Sequence, residues 1–380
     1  MDRLSDRLPT VELISPAPIA IAALAITFLL GRRWRRGLPL PPGPKGYPII
    51  GNLLDMPRSF PGPNFEKMGK KLDTDIVYLT VGGKNILVLN SYEAAWELLE
   101  KRSSIYSSRY IASIPRFPML IELIGWNRDF IFMPYGDAWR TRRRLFHQEF
   151  PNTSSRPSHD LHQTAVNRIL IKSLLRDPEN FNRHLKFLTG SLIVRVTYGY
   201  EAKHHDDPVL ELGEYVMSVL TYVASPGTFL VDTIPWLKCV PHWVPGAGFK
   251  KQAAEWSKLY EKFNLEPFQL TKADMVNGTA GPSFVSNALQ KASEDPQSCW
   301  YTEEEVMNTA ASMQEAGQDT THAALLSFVL AMVLHPECQV KAREEIDRVV
   351  GSERLPAFGD RPSLSYVEAI MQEVLRQVDH

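Results

Sequence analysis

Residues 316–321 read Ala-Gly-Gln-Asp-Thr-Thr, and they lie in the middle of a long, mostly apolar interval, Thr302–Leu334. The interval opens with Thr302 and, three residues later, Glu305, which is the pattern of a helix capping box. It closes at His335-Pro336, because proline cannot continue a helix. The pattern predicts one helix of roughly 32 residues and about 48 Å, which is long for a globular protein.

The centre of this interval is unfavourable for a helix. Gly317 costs roughly 1 kcal/mol relative to alanine in a helix interior, and the threonines that follow are also poor helix formers. Two shorter helices, the second capped by Asp319 or Thr320, are therefore the alternative. The flanking residues are strongly apolar and contain no proline, which favours a single helix that passes through the glycine.

A second group of polar residues lies upstream, in Trp139-Arg140-Thr141-Arg142-Arg143. If this stretch is helical, Trp139 and Arg143 lie on one face, one turn apart. An indole N–H beside a planar guanidinium is a pair of donors suited to a carboxylate. The simpler interpretation is a basic amphipathic helix with one tryptophan in the core.

A third pattern lies near the end of the sequence, where Glu373 precedes Arg376 by three residues. Such a pair is common on helix surfaces and stabilises a helix by only a few tenths of a kcal/mol. Its context is more informative than the pair itself. The long central interval, a shorter helical stretch at 339–347, a loop and a further helical stretch at 366–370 precede it in that order.

Strand patterns are confined to the early part of the chain. Two alternating apolar runs, Ile76–Val81 and Ile86–Leu89, flank Gly82–Asn85, which predicts a hairpin with a tight turn. Ser91 is predicted to cap a helix that runs to about Lys101. The remainder shows helical periodicity broken by proline and glycine, so the predicted fold class is mainly α with a small β-sheet.

The N-terminal region predicts a single-pass membrane anchor, because no charged residue lies between positions 13 and 30. Eighteen helical residues reach about 27 Å, close to the hydrocarbon thickness of a bilayer. Arg32, Arg33, Arg35 and Arg36 follow, and by the positive-inside rule they place the rest of the chain on the cytosolic side. A cleaved signal peptide and a buried core helix are the alternatives, and the basic flank argues against both.

Proline-rich sequence follows the anchor, with Leu-Pro-Leu-Pro-Pro-Gly-Pro at residues 38–44. Proline at this density favours stiff, extended backbone, so a semi-rigid spacer is predicted. The predicted organisation is an N-terminal tail at 1–12, the transmembrane anchor at 13–30, a basic and proline-rich hinge at 31–50 and one large domain at 51–380.

Charge and cysteine content exclude several classes of protein. The 380 residues carry a formal net charge of −1, so the composition does not indicate a nucleic acid as partner. The three cysteines, Cys239, Cys299 and Cys338, are too few and too scattered for a disulfide framework.

These patterns, in this order, resemble the cytochrome P-450 family, in particular its fungal microsomal members of secondary metabolism. Ala-Gly-x-Asp-Thr-Thr is similar to the central-helix signature of that family. Trp-x-x-x-Arg is similar to its pattern for binding a haem propionate, and Glu-x-x-Arg to a helix pair near its haem-binding core. The resemblance covers residues 38–376 and implies the fold of that family, with haem as the cofactor.

The resemblance implies a role for each residue of the central motif. The small residues Ala316 and Gly317 let the helix run close over the haem. Thr320 positions a proton or a water molecule beside the face at which oxygen is bound, and Asp319 supplies the proton. Chemistry of this kind needs protons delivered into an otherwise dry, apolar pocket.

The two other motifs receive supporting roles from the same resemblance. Trp139 and Arg143 bind a haem propionate. Glu373 and Arg376 form a buried structural pair that supports the haem-binding core rather than a catalytic dyad.

The implied activity is that of a haem-thiolate monooxygenase that hydroxylates an apolar secondary metabolite with O2 and electrons from NADPH. The implied partner is NADPH–cytochrome P-450 reductase, and the implied location is the endoplasmic reticulum membrane, with the catalytic domain facing the cytosol. Two apolar and aromatic segments, 111–126 and 222–236, border the substrate pocket in the family, although core packing or membrane contact is the simpler explanation. They predict a bulky substrate such as a terpenoid or an aromatic intermediate.

The sequence departs from the family pattern at its end. The family binds the haem iron through a cysteine in Phe-x-x-Gly-x-Arg-x-Cys-x-Gly, and this sequence ends four residues after Arg376. None of the three cysteines lies in such a loop, so no metal ligand is assigned. The expectation is a catalytic domain truncated before its axial cysteine, which binds haem poorly. A second hypothesis therefore stays open, that of a non-catalytic remnant acting as a pseudoenzyme or as a membrane-tethered interaction module.

Overall fold

The computed structural model describes residues 39–48, 50–57, 61–81, 83–108, 117–149, 157–203, 206–225 and 228–378. The chain divides into two compact units, residues 1–101 and 102–380. The predicted anchor at 13–30 lies outside the described residues. Within the described ranges no single helix has the length and apolar character to cross a membrane; only Glu303–Leu334 and Pro336–Val349, bent by 105°, meet that test together.

The first unit contains a two-stranded antiparallel sheet. Strand β1 (Ile76–Val81) pairs along its whole length with strand β2 (Lys84–Leu89). Val77 and Leu79 of β1 are fully buried, because alternate side chains of a strand point to the same face. The predicted hairpin is confirmed, with its second strand beginning two residues earlier than the apolar run.

Helices flank this hairpin on both sides in the sequence. Helix α1 (Pro61–Leu72) precedes β1 and contacts it. After β2, the Oγ of Ser91 accepts a hydrogen bond from the backbone N–H of Ala94 at 3.2 Å, so the predicted cap is confirmed. The helix that it starts, Tyr92–Ala95, continues as a π-helical segment, Trp96–Lys101.

The proline-rich segment packs on the sheet from Pro42 onward. The backbone N–H of Tyr78 donates to the Pro42 carbonyl at 2.8 Å. A Cβ atom at Gly43 would lie 1.9 Å from the Tyr78 carbonyl oxygen, and one at Gly51 (φ +62°) would lie 1.9 Å from the Thr80 carbonyl oxygen. Glycine is therefore required at both positions for the two backbones to meet, and part of the segment predicted as a hinge lies against β1.

The second unit is helical throughout its described residues. Its longer helices are α2 (Asp137–Glu149), α3 (Pro157–Arg176), α4 (Phe181–Tyr198), α5 (Pro208–Ala224), α6 (Gly248–Asn277), α7 (Phe284–Glu294), α8 (Glu303–Leu334), α9 (Pro336–Val349) and α10 (Ser365–Val378). Short helical turns at Ser103–Tyr106, Pro118–Ile124, Trp126–Arg128, Pro178–Asn180, Leu230–Thr233, Pro235–Cys239 and Phe358–Ser363 connect them.

Helix α8 is one continuous helix of 32 residues, so the single-helix prediction is confirmed and the two-helix alternative is wrong. Its capping box is complete. The backbone N–H of Glu305 donates to the Thr302 hydroxyl at 3.2 Å, and the Thr302 N–H donates to the Glu305 carboxylate at 2.7 Å. The apolar flanks explain the result, since their burial outweighs the cost of roughly 1 kcal/mol for an interior glycine.

Helix α8 contributes to two apolar clusters of the second unit. The first cluster joins α4, α7 and α8 and includes Val194, Phe284 and Val306. The second joins α5, α6 and the turns at 118–128, with Trp126 and Phe263 fully buried. Burying side chains of this size stabilises the fold by about 1.5–3 kcal/mol each, which holds the first half of α8 in place.

Candidate functional site

The middle of α8 packs closely against α4. A Cβ atom at Gly317 would lie 2.7 Å from the Cδ1 atom of Ile193. Side-chain carbons do not approach so closely, so a methyl group at position 317 would force the Ile193 side chain to shift. The predicted role of Gly317, which is to let the helix run close over a cofactor, stays a prediction, and the structure supplies a separate reason for this glycine.

Small residues line an open face of the same helix. Ala316, Thr320 and Ala323 follow one another at helical spacing, and all three are exposed. The Thr320 hydroxyl donates a hydrogen bond to the Ala316 carbonyl at 2.6 Å, which holds its oxygen at the helix surface. Small, exposed side chains therefore line this part of the helix surface.

Asp319 lies beside this face and opens into a cavity of about 390 Å³ between α4, α5 and α8. Gln318 and His322 line the same cavity, as do Lys186 and Glu214, whose charged groups are 3.5 Å apart. Thr320 does not line the cavity. The two residues predicted to act together are therefore adjacent in sequence and face different surroundings.

His322 marks the inner wall of this cavity. Its Nε2 lies 2.8 Å from the side-chain oxygen of Asn182, so the imidazole bridges α8 to α4. Partial burial, and next the charge of Lys186, lower the pKa of His322, so the ring is neutral at physiological pH. The charged residues that line this cavity together with Asp319 are Lys186 and Glu214.

The predicted donor pair lies on α2, which is helical as expected. Trp139 is half-buried, with its ring centroid 5.3 Å from that of Tyr135, and Arg143 is exposed beside the Phe146 ring at 5.9 Å. Within the described residues, neither the Trp139 indole N–H nor the Arg143 guanidinium has a hydrogen-bond acceptor. Both donors are therefore available to a carboxylate.

The neighbouring arginines of α2 have different surroundings. Arg142 is buried, and its guanidinium donates to the Arg128 carbonyl and, at 3.2 Å, to the sulfur of Met133. Burial is the main reason that the pKa of Arg142 is lowered. Arg144 lies over the Trp300 ring at 4.3 Å. One arginine of the basic run therefore faces the core, while Arg143 faces outward.

The third motif is not buried. Arg376 and Glu373 form an i,i+3 ion pair at 2.6 Å on α10, with 60% and 50% of their side chains exposed. In this structure the pair lies on the solvent-facing side of an amphipathic helix. A structural role for Glu373 and Arg376 stays a prediction.

The sequence patterns missed a pair of buried carboxyl groups. Glu315, one turn before Asp319, is 2% exposed, and Asp129 is 1% exposed. The Trp126 indole N–H donates to Glu315 at 3.4 Å, and the Ser312 hydroxyl donates to Asp129 at 2.6 Å. The available signal was an acidic residue within the apolar flank of the central motif, since buried acids are rare unless partnered.

The two segments predicted to border a substrate pocket meet in the structure. The backbone N–H of Met119 donates to the Asp232 carboxylate at 3.1 Å, and Leu120, Val223 and Val231 belong to one apolar cluster. Burial raises the pKa of Asp232 to about 6, and the Met119 N–H opposes that rise. Residues 111–116 of the first segment lie outside the described residues.

The three cysteines lie apart from the central motif in the sequence and on other elements. Cys239 is exposed at the end of a short helical turn, and Cys338 is in the first turn of α9. The Cys299 thiol donates to the Tyr301 carbonyl at 3.1 Å, just before α8.

Comparison with known proteins gives a consistent result. A family model described as cytochrome P-450 matches residues 41–380. Cytochrome P-450 monooxygenase 208 of Postia placenta is 40% identical over 364 residues, which cover 95% of this chain and 68% of the relative. A cytochrome P-450 monooxygenase of Armillaria gallica is 38% identical over 367 residues, covering 95% of this chain and 71% of the relative. The monooxygenase eriA of Hericium erinaceus is 39% identical over 376 residues, covering 99% and 69%. The chain belongs to the cytochrome P-450 family, whose cofactor is haem.

Proposed function

We propose that this chain acts as a haem-thiolate monooxygenase. It hydroxylates an apolar secondary metabolite with O2 and electrons from NADPH. The observation that carries this proposal is the arrangement on α8. Thr320 lies on an open face lined by small residues, and the preceding Asp319 opens into a polar cavity. When bound, haem supplies the activation of oxygen, and the residues of the chain position it and handle protons.

Two features of the described residues match parts of a haem, the flat ring and its carboxylates. The open face formed by Ala316, Thr320 and Ala323 accepts a flat apolar ring. Trp139 and Arg143, on the helix packed against α8, offer an indole N–H and a guanidinium that lack acceptors among the described residues. A carboxylate at the edge of the ring matches these donors, because a planar guanidinium binds carboxylates in a bidentate manner. These two residues are the proposed anchors for a haem propionate.

Proton delivery is assigned to Asp319 and Thr320. The Asp319 carboxylate exchanges protons with water in the cavity that also contains Lys186 and Glu214. The Thr320 hydroxyl accepts a proton on its oxygen and passes one to the open face by rotating away from the Ala316 carbonyl, 2.6 Å away. Together the two side chains carry protons across α8 from the cavity to the open face.

The substrate class, partner and location complete the proposal. The resemblance of residues 111–126 and 222–236 to the borders of the family's substrate pocket is the basis for proposing a bulky, apolar substrate such as a terpenoid or an aromatic intermediate. The described residues of these segments pack in a buried apolar cluster. A family member of this kind receives electrons from NADPH–cytochrome P-450 reductase. The anchor predicted at 13–30 supports a position on the endoplasmic reticulum membrane with the catalytic domain in the cytosol.

The test is a coupling measurement on the haem-loaded full chain with reductase and a panel of apolar terpenoids and aromatics. NADPH consumption and hydroxylated product are measured for the wild type, for Thr320→Ala and for the matched control Thr321→Ala, at the neighbouring exposed threonine. We expect Thr320→Ala to consume NADPH while losing most of its product, and Thr321→Ala to retain its coupling. Equal coupling in all three proteins, or no product from any apolar compound, contradicts the proposal.

A further inference from the structure

Two buried carboxyl groups join the turns at 126–131 to the helix that carries the central motif. Asp129 Oδ1 accepts hydrogen bonds from the Ser312 hydroxyl at 2.6 Å and from the Ile131 backbone N–H at 2.8 Å. Glu315 Oε2 accepts one long hydrogen bond, from the Trp126 indole at 3.4 Å. The other oxygen of each group, Asp129 Oδ2 and Glu315 Oε1, has no donor while both groups are ionised.

One proton on either carboxyl group would give these oxygens a hydrogen bond. Asp129 binds Ser312, and Glu315 binds Trp126, so both carboxyl groups lie at the same contact between α8 and the turns at 126–131. Two carboxyl groups can form a hydrogen bond with each other only if one of them is protonated. Asp129 has two good donors, which stabilise its charged form, whereas Glu315 has one weak donor. The proton therefore belongs on Glu315, and its hydroxyl donates to Asp129.

The surroundings favour the same assignment. Burial, and next the charge of Asp129, raise the pKa of Glu315 well above its usual range. Three other titratable groups interact electrostatically with the pair: Tyr198 with Glu315, Arg142 with Asp129, and Tyr260 with both. The Tyr260 ring stacks on Trp126 at 4.2 Å and excludes water from the indole side. The charge of Arg142 acts on Asp129 and favours the arrangement in which the pair holds one charge and one proton.

We propose that Asp129 and Glu315 are a positioning pair, which holds the segment Trp126–Asp129 against the turn before Ala316 through one proton shared between the two carboxyl groups. The proposal rests on the proposed function in one respect, since that function makes Ala316–Thr321 the reacting segment. Loss of the proton to water leaves two adjacent buried negative charges, which repel each other and release the Trp126–Asp129 segment. The pair thus links the segment that borders the apolar cluster to the segment that handles protons.

The test is the pH dependence of unfolding of the full chain, compared between the wild type and Glu315→Gln. Between the ordinary glutamate pKa of about 4.3 and the raised value, the folded wild type holds one proton more than the unfolded chain. Its unfolding constant therefore rises about tenfold per pH unit from this pair alone, or ~1.4 kcal/mol. The glutamine amide donates the same hydrogen bond at every pH. We therefore expect the tenfold rise of the unfolding constant per pH unit to be absent in Glu315→Gln.

A matched control and an independent readout complete the design. Glu304→Gln, at an exposed position of the same helix, is expected to keep the wild-type slope. Infrared spectra at neutral pH are expected to show a protonated carboxyl C=O band in the wild type and in Glu304→Gln, but not in Glu315→Gln. If Glu315→Gln does not fold, Asp129→Asn is the second variant. It removes the neighbouring charge and leaves the burial of Glu315, so the slope is expected to end at a lower pH than in the wild type.

Equal slopes in the wild type and Glu315→Gln, or no protonated carboxyl band in the wild type, overturn the proposal. Both measurements are made without haem, reductase or substrate. Their failure would therefore leave the monooxygenase proposal intact, and failure of the coupling measurement would leave the carboxyl pair intact.

Discussion

Gly317 of α8 lies so close to Ile193 of α4 that a Cβ atom at position 317 would stand 2.7 Å from the Cδ1 atom of Ile193 and 2.8 Å from its Cγ1 atom. This contact accounts for a glycine in the interior of a helix, where it is locally unfavourable. It also marks the position along α8 at which α4 packs against it. The central motif thus carries a packing requirement in addition to its predicted chemistry.

Gly317→Ala is expected to destabilise the chain. The added methyl group forces the Ile193 side chain to move, which costs about 1–3 kcal/mol, and the better helix propensity of alanine offsets roughly 1 kcal/mol of that. Chemical denaturation measures the net effect. In an Ile193→Ala background the clash is absent, so the same substitution is expected to be neutral or stabilising. A loss of stability of equal size in both backgrounds would show that Ile193 is not the cause.

Gly43→Ala is expected to be more damaging, because its Cβ would lie 1.9 Å from a backbone carbonyl oxygen of β1, which cannot rotate away. We expect a loss of at least about 2 kcal/mol in the free energy of unfolding, or local detachment of the segment from the sheet. Gly62→Ala, in α1 with open space around it, is the control and is expected to be neutral or slightly stabilising. Hydrogen exchange at the Tyr78 amide, which donates to Pro42, detects detachment directly. Unchanged stability and exchange in Gly43→Ala would rule out the close contact.

Asp232→Asn is expected to flatten the pH dependence of stability in the mildly acidic range. The folded-state pKa of Asp232 is raised from 3.8 to about 6, so its contribution is fully present below about pH 4 and is lost as the pH rises through 6. The asparagine oxygen still accepts the Met119 N–H, so the hydrogen bond is kept without the titration. Asp206→Asn, at an exposed carboxylate paired with Arg183, serves as the comparison. A wild-type slope retained in Asp232→Asn would contradict the assignment.

Glu373→Ala is expected to leave the melting temperature of this chain unchanged within measurement error. Both partners of the pair are largely exposed, so solvent screens their attraction. Arg361→Ala, which removes an exposed ion pair with Glu368, is the matched comparison and is expected to behave alike. A clear loss of stability for Glu373→Ala alone would show that the pair supports the core after all.

The helices and the hairpin could be predicted because their signals are local. The capping box at Thr302 and the stop at Pro336 gave both ends of α8, and alternation gave β1 and β2 to within two residues. The packing of residues 42–52 on β1 could not be predicted, because nothing in a proline-rich run shows which backbone it meets. Its glycines were the clue, and they are also common in free linkers.

The site was predictable only in part, for the same reason. Trp139 and Arg143 fall on one helix, as their spacing indicates, and among the described residues neither donor has an acceptor. The separation of Asp319 from Thr320 into different surroundings depends on where α4 and α5 pack. Asp129 and Glu315 are 186 positions apart in the sequence, and no pattern within either segment predicts that they pair.

The central claim is that Trp139 and Arg143 bind the carboxylates of a haem. It is tested most directly by titrating haemin into the full chain and following the quenching of tryptophan fluorescence. Arg143→Ala is compared with Arg144→Ala, which removes the adjacent exposed arginine. Each protein is also titrated with haemin dimethyl ester, in which the carboxylates are blocked.

We expect Arg143→Ala to bind haemin about tenfold more weakly than the wild type, since a charge-assisted hydrogen bond contributes about 1.5–3 kcal/mol when buried and less when exposed. Arg144→Ala is expected to match the wild type, and the ester is expected to bind the wild type and Arg143→Ala equally. Equal haemin affinities in the wild type and Arg143→Ala, or the same loss for haemin and its ester, would contradict the account.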